Sequence, residues 1–360
     1  MGEKTLKRIF ALILVCFSLH SLAEEVSGLY SGLVPVVDQS SESQQQGVRE
    51  ALNQVLVKLT GNSKIVQSPN VIPFLTNPNA FVAGVGFRSL PASDSTVEPQ
   101  TGLEVSFSQK GIDQLIRQAK LPVLPSNRPK LLVWILRDHP SEGRGFINEY
   151  TEAKSSPSIL NSFDRAMKER GMPYILPAFD LEDQLSLSVN EAWSLRANLI
   201  DAASQRYEAD GWIALRFYTT SSGEVRGAWL YQASGRRQLK DFRSSYGEPF
   251  MTSAVNELVD SLAESFTYVP QISTNELMVQ INGVASFKDY ESVLALFKNL
   301  ELVESLDVHG VEADQLTLAV DAEGGAELLH SALVRSGKLQ SQTDQDGLYT
   351  GQLQFNWIRK

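Results

Sequence analysis

Six apolar residues, Leu131-Leu132-Val133-Trp134-Ile135-Leu136, run without interruption between Lys130 and Arg137. A strand with one face in water alternates apolar and polar side chains, so a strand without that alternation needs cover on both faces. The run is far too short to cross a bilayer. It predicts a central strand with other elements packed on each side. The surrounding chain has 360 residues, 42% hydrophobic and 21% charged. That is ordinary globular composition, which excludes a disordered tail, a collagen-like fibre and a polytopic membrane protein. The length suggests two or three domains, each able to bury a core.

The first residues read as a leader rather than as part of a fold. Lys4, Lys7 and Arg8 give a basic start, and Ile9 to Phe17 is an apolar run. Ser21-Leu22-Ala23 then places small residues at the two positions a signal peptidase reads. This layout predicts a secretory signal peptide over 1–23, cleaved after Ala23. Val15 precedes Cys16, where a lipid attachment signal would need a small residue, so no lipid anchor is expected.

Cleavage would remove three basic residues and one acidic residue, taking the formal charge from −10 to −12. It would also remove Cys16, the one cysteine in the sequence. An exported chain without cysteine uses no disulfide, thiol nucleophile or thiolate metal site. No later stretch is long and apolar enough for a transmembrane helix, so a soluble mature chain is expected. The acidic balance argues against nucleic-acid binding and against adhesion to anionic lipid, both of which need basic surface.

Three segments follow. In 24–125, Leu29–Val37 reads as a strand broken by Pro35. Val48, Ala51, Leu52, Val55, Leu56 and Leu59 then share one helical face, closed by Gly61. A loop follows over Asn62–Asn79, rich in Asn and Pro and exposing Val71, Ile72, Phe74 and Leu75. Phe81–Leu90 and Leu103–Phe107 read as strands joined by an exposed loop, and Ile112, Leu115, Ile116 and Ala119 mark a second helix.

Prolines 122, 125 and 129 punctuate the next boundary. Segment 126–270 reads as the apolar strand, a loop to Ser156 and a helix over 157–170. A strand Tyr174–Phe179, a helix Trp193–Tyr207, a three-strand meander over 212–242 and a closing helix Met251–Phe266 follow. Its order is β-α-β-α-β-β-β-α. Segment 271–360 reads as β-α-β-β-α-β, the ferredoxin-like pattern. The expected class is α+β in three small domains. The connections Pro125–Pro129 and Pro270–Thr274 are too short for free tumbling.

Strong catalytic signatures are absent: no His-Glu-x-x-His, Walker loop, Gly-x-Ser-x-Gly or cysteine pair. Gly84 and Gly86 lack the third glycine of a dinucleotide loop and read as strand glycines. No cofactor and no metal are expected. Three weaker candidates remain. Asp138 and His139 leave the end of the apolar strand and Asp180 leaves the next. In open α/β sheets such strand ends hold ligands, so the three could move a proton or bind a metal, or merely close the strands. Arg216, Arg226, Arg236, Arg237 and Arg243, with Lys240, concentrate on the meander and could hold an anion. Glu224 and Asp241 lie among them, so solvated ion pairs are the plainer reading. Phe74 and Leu75 could meet a partner or pack on their own domain.

Val34-Pro35-Val36-Val37-Asp38-Gln39-Ser40, Arg49-Glu50-Ala51-Leu52 and Val55-Leu56-Val57-Lys58-Leu59-Thr60-Gly61 resemble an uncharacterised family of exported proteobacterial proteins. It is the domain-of-unknown-function family numbered two-zero-six-six. Arg128-Pro129-Lys130-Leu131-Leu132-Val133-Trp134 resembles its second hallmark. The resemblance implies a Gram-negative periplasm and supplies no catalytic residue. The element order of the middle segment is similar to small α/β domains of periplasmic assembly proteins, which implies contacts rather than chemistry. The expected function is a non-enzymatic periplasmic accessory protein that binds envelope protein partners. The alternatives are a hydrolase using Asp138, His139 and Asp180, or a module binding an anionic glycan or lipid head group.

Overall fold

The computed structural model describes residues 28–90, 100–148, 151, 159–233, 235–245, 249–264, 266–270, 276–342 and 352–358. The expected leader and the loop tip over 91–99 lie outside them. The described chain is mixed α+β, with ten helices and three sheets.

The apolar run lies at the middle of the largest sheet. Strand β4 (Leu131–His139) pairs parallel with β7 (Gly211–Thr219), which continues antiparallel into β8 (Val225–Ala233) and β9 (Arg236–Ser244). All six apolar residues of β4 are fully buried. Leu131, Val133 and Ile135 face one core, against α4 (Ile159–Glu169) and α8 (Phe250–Ala263). Leu132, Trp134 and Leu136 face a second, against α6 (Val189–Trp193) and α7 (Ala197–Ser204). A run without polar alternation thus becomes a strand with two dry faces, each buried side chain contributing about 1.5–3 kcal/mol of transfer free energy.

Several expectations in this segment are corrected. The loop placed after Leu136 instead folds back as β5 (Gly143–Phe146), paired antiparallel with Leu136–His139. Asp138 and His139 therefore belong to a hairpin rather than to an open strand end. The strand expected over Tyr174–Phe179 shrinks to β6 (Tyr174–Ile175), paired with β4. Pro177 has no N–H to offer a ladder, and the Ala178 N–H is drawn to the Tyr207 hydroxyl at 2.8 Å. The helix expected over Trp193–Tyr207 is interrupted. A capping box at Ser188 starts α6, Leu195 takes a left-handed φ of 51° while packing on the second core, and α7 starts at Ala197. The short α5 (Leu181–Ser186) precedes them.

The first sheet has order β1-β3-β2, from β1 (Ser31–Val36), β2 (Val82–Leu90) and β3 (Gln100–Phe107). It packs on α1 (Ser41–Thr60) and α3 (Gln109–Ala119). The free edge of β1 is covered by α1: the Gln54 carboxamide accepts from Leu33 N–H at 3.0 Å and donates to Leu33 C=O at 3.1 Å. The loop expected over Asn62–Asn79 is built rather than open. It contains a 3₁₀ turn and the short α2 (Ile72–Leu75), and Val71 is wholly buried. Phe74 and Leu75 pack on the first core, leaving Ile72 as its exposed apolar side chain at 52%.

The third sheet has order β11-β12-β10-β14-β13, from β10 (Leu277–Asn282), β11 (Val303–Glu312), β12 (Gln315–Ala322), β13 (Leu339–Ser341) and β14 (Gln352–Trp357). The strand β13 was not expected. Helices α9 (Phe287–Lys298) and α10 (Gly325–Arg335) pack on this sheet.

Two buried arginines join the first and largest sheets. Arg128 donates to the carbonyls of Pro125 (3.1 Å), Lys58 (2.6 Å), Arg170 (2.9 Å) and Gly171 (2.9 Å). Lys58 lies in the last turn of α1, and Arg170 and Gly171 follow α4. One guanidinium thus satisfies the orphaned carbonyl ends of two helices and sits at their negative poles. Burial lowers its pKa to about 10, which leaves it charged at neutral pH. Arg170, itself buried, donates to Gly61 C=O (2.7 Å), Asn256 Oδ1 (2.9 Å) and Asp260 Oδ1 (2.7 Å). Asp260 also accepts from Ser63 N–H at 2.8 Å. Gly61 closes α1 with φ 66°, and a Cβ there would stand 2.5 Å from the Ala263 Cβ, so this approach of α1 to α8 needs glycine twice over.

The third sheet joins the others by a bridge between Val123 and Tyr268 and by a charged contact. Arg117 on α3 binds Glu323, which is 2% exposed, and reaches Glu304 at 3.6 Å. Desolvation and then the Glu304 carboxylate push the Glu323 pKa up, while Arg117 opposes them.

Two predictions follow from these joints. Arg128→Ala leaves several buried carbonyls without donors, and should lower unfolding free energy by about 3 kcal/mol or more, read as a fall in urea midpoint. Glu323 holds its proton more tightly folded than unfolded. Its contribution is therefore complete below the ordinary glutamate value and is lost as pH rises through its raised folded value. Urea midpoints of Glu323→Gln should show a smaller fall than the parent as pH rises above the ordinary glutamate value.

Candidate functional site

On β7, β8 and β9, residues two apart share a face. The register sets Arg216 opposite Ala228 and Ala228 opposite Asp241. The next row sets Tyr218 opposite Arg226 and Arg226 opposite Arg243. These side chains line one bowl of about 630 Å³, together with Trp193 from the end of α6. The helices that cover β4 and β7 on this face stop short of β9, where Leu239 is 58% exposed, and the bowl opens there.

Each cation has a definable position. Arg216 is half-buried, and its guanidinium donates to the Trp193 carbonyl and lies 5.5 Å from the centre of the Trp193 ring. Arg144, from β5, sits 4.3 Å from the same ring centre and is held by Asp138 at 2.8 Å. Arg226 pairs with Glu224 at 2.8 Å, and the Tyr218 hydroxyl lies against it. These partners raise the Arg226 pKa, Glu224 foremost. The Arg243 side chain is exposed and has no hydrogen-bonding or ionic partner among the described residues, and the same is true of Asp241, two residues before it on the same face of β9.

The five meander arginines divide. Arg216, Arg226 and Arg243 converge. Arg237 shares their face but lies six residues from Arg243, about 20 Å along an extended strand, and binds the Gln232 side chain at 2.9 Å. Arg236 stands opposite Ala233 on the other face of β9. Lys240 pairs with Glu257 of α8 at 3.1 Å. The strands themselves announced Tyr218 and Asp241, since each is two residues from a candidate arginine. Nothing local announces Trp193, which arrives from the end of α6, or Arg144, which reaches its ring from β5.

The strand-end residues do not form one centre. Asp138 is bound to Arg144, and His139 Nδ1 lies 3.0 Å from the Ser141 hydroxyl within its own turn. Asp180 is the N-cap of α5 and is gripped by Arg206 at 2.7 and 2.8 Å. That grip holds its carboxyl well below the usual range. Beside it, buried Asp183 accepts from the Phe179 N–H at 2.8 Å, Arg206 at 3.0 Å and the Tyr207 hydroxyl at 2.5 Å. This is a structural hub that the sequence reading missed. Among the described residues no group of three or more His, Cys, Asp and Glu is placed to hold a metal ion.

A larger cleft, about 1050 Å³, lies between the first sheet and the Met172–Phe179 segment. Its charged groups are largely committed. Lys58 donates to the Ser31 carbonyl at 2.8 Å, Arg88 faces Glu104 at 3.6 Å and Lys168 pairs with Asp164 at 2.7 Å. The smaller bowl is the place with charge to spare.

Residues 23–125 match the family model for Domain of unknown function (DUF8605). This overturns the expected membership of family two-zero-six-six, and the compartment inferred from that membership loses its basis. No curated protein matches the chain. A solved structure of an uncharacterised protein aligns over 38% of this chain and 88% of its own, at 7% identity and a TM-score of 0.15. A likeness that small carries no argument about fold, and it gives the expected similarity of the middle segment to periplasmic assembly domains no support. Among the described residues no helix is long and apolar enough to cross a membrane.

The separate networks make opposite mutational predictions. His139→Ala should change unfolding free energy by less than about 0.5 kcal/mol. Asp183→Ala leaves the Phe179 N–H and the Tyr207 hydroxyl without their acceptor, while Arg206 keeps Asp180, and should cost about 2–3 kcal/mol by the same urea measurement.

Proposed function

We propose that this chain is an exported, non-enzymatic accessory protein of the cell envelope, which binds other envelope components through α+β modules. The observation that carries the reading is the dispersal of its titratable groups. Asp138, His139 and Asp180 each sit in a separate local pair, and no two of them share a partner. A general acid or base must reach the group it serves, and a nucleophile must reach its base. These groups are spent on caps and hairpins instead.

We read the chain as three modules over 24–125, 126–270 and 271–360, the last ferredoxin-like with an added edge strand. The β11-β12-β10-β14 order of the third sheet supports that reading, while its parallel β10–β14 pair departs from the all-antiparallel ferredoxin-like sheet because the added β13 reverses the last strand. The leader-like start supports export, and on that start alone the periplasm is the proposed compartment. The buried arginines at the module joints suit a platform that presents several surfaces in a fixed relation.

In-cell photo-crosslinking of the tagged full chain, with the crosslinker at exposed positions of each module, tests the proposal. A reproducible envelope protein captured from one module's surface, and not from the other two, is the expected result. Capture of the chain alone, or hydrolysis of an envelope polymer or phosphoester that disappears in His139→Ala, would overturn it.

A further inference from the structure

The bowl on β7–β9 has a feature that structural roles do not absorb. Arg226 and Arg243 stand directly opposite on neighbouring antiparallel strands, where Cβ atoms lie about 4.5–5.5 Å apart and like charges destabilise the pair. Glu224 offsets Arg226. Nothing described offsets Arg243, and Arg216 adds a third guanidinium one row away. A charged edge strand can serve to discourage edge-to-edge pairing. That role would account for Arg236, Arg237 and Lys240 along β9. It does not account for Arg216, which lies on an inner strand, half-buried, in the wall of a concave site.

We propose that this bowl binds a phosphate monoester carried on a sugar. Glu224 occupies the Nε and one terminal nitrogen of Arg226, which leaves the rest of that guanidinium and the whole Arg243 fork side by side for a ligand. A monoester has three terminal oxygens and a charge near −2, and can accept from both guanidinium groups together. The residues flanking these guanidinium groups select the remainder of the ligand. Asp241, two residues from Arg243 on the same face of β9, is a carboxylate without a side-chain partner among the described residues that would accept hydrogen bonds from hydroxyl groups and repel a second phosphate. Tyr218, 40% exposed, offers a ring face beside Arg226. A volume of about 630 Å³ suits a small polar ligand. The site stands independently of the accessory reading, since it needs neither a protein partner nor an envelope location.

Free sugar phosphates and phosphorylated sugar head groups of lipids share this chemistry. The test uses glucose 1-phosphate, glucuronate and inorganic phosphate in calorimetric titrations of the full chain. Vesicles carrying a lipid with a monophosphorylated disaccharide head group form a separate arm. Glucose 1-phosphate should bind, and Arg243→Ala and Arg226→Ala should each weaken it about tenfold or more. Arg237→Ala should leave it unchanged. Asp241→Asn should weaken glucose 1-phosphate but not inorganic phosphate, which a merely electrostatic patch would not reproduce. Binding to the vesicles alone, lost in Arg243→Ala, supports the same site with a lipid source. Glucuronate bound as tightly as glucose 1-phosphate, equal binding by Arg243→Ala, or no binding in either arm would overturn the proposal.

Discussion

The arrangement of this molecule depends on two charged side chains held away from water. Arg128 has no carboxylate within bonding distance and is satisfied by main-chain carbonyls from the linker, α1 and the turn after α4. Its neighbour Arg170 reaches α1, α8 and Asp260. An ion in such a place is costly unless its donors are used in good geometry, as those of Arg128 are; the Arg170 Nε alone of these donors has no partner among the described residues. The carbonyl ends of helices supply that geometry, because they are unsatisfied within the helix and carry partial negative charge. The joint therefore specifies how two cores meet. A hydrophobic contact of the same area would tolerate sliding, whereas a guanidinium with fixed acceptors does not.

The same economy governs the rest of the charge. Most acidic and basic groups that look reactive in isolation are committed locally: Asp180 to Arg206, Asp138 to Arg144, Arg88 to Glu104. Against that background the bowl on β7–β9 is unusual because its register concentrates cations instead of pairing them. Two causes act together. The pleat places alternate residues on one face, and the helices covering that face end before β9.

Much of the scaffold was legible from pattern. The unbroken run at Leu131–Leu136 required a strand with two covered faces, and its alternate residues divide between two cores. The stripe from Val48 to Leu59 required one buried helix face, and Gly61 ends that helix in a left-handed conformation. Hairpin β4–β5 was illegible because Gly143–Phe146 carries little apolar signal and is specified by pairing rather than by propensity. The break at Leu195 was illegible because an apolar residue in a helical pattern gives no warning of a left-handed turn. There, burial against the second core outweighs the local cost. Phe74 and Leu75 lie among Pro and Asn, which reads as a loop, yet tertiary packing folds that loop onto its own core.

The candidate site divides in the same way. The sequence by itself determined which strands carry the arginines and which residues alternate with them, since strand periodicity is local. It also determined that the common catalytic motifs are missing, because a motif is a local pattern of letters. Only the tertiary structure decided that Arg216, Arg226 and Arg243 converge while Arg236 and Arg237 do not. Only it decided that Asp138, His139 and Asp180 go to separate partners, that Trp193 joins the bowl, and that Arg144 lies over the Trp193 ring. Those outcomes depend on strand register and on loop paths between distant segments. Both are fixed by burial summed over the whole core, a quantity that no short stretch of sequence contains.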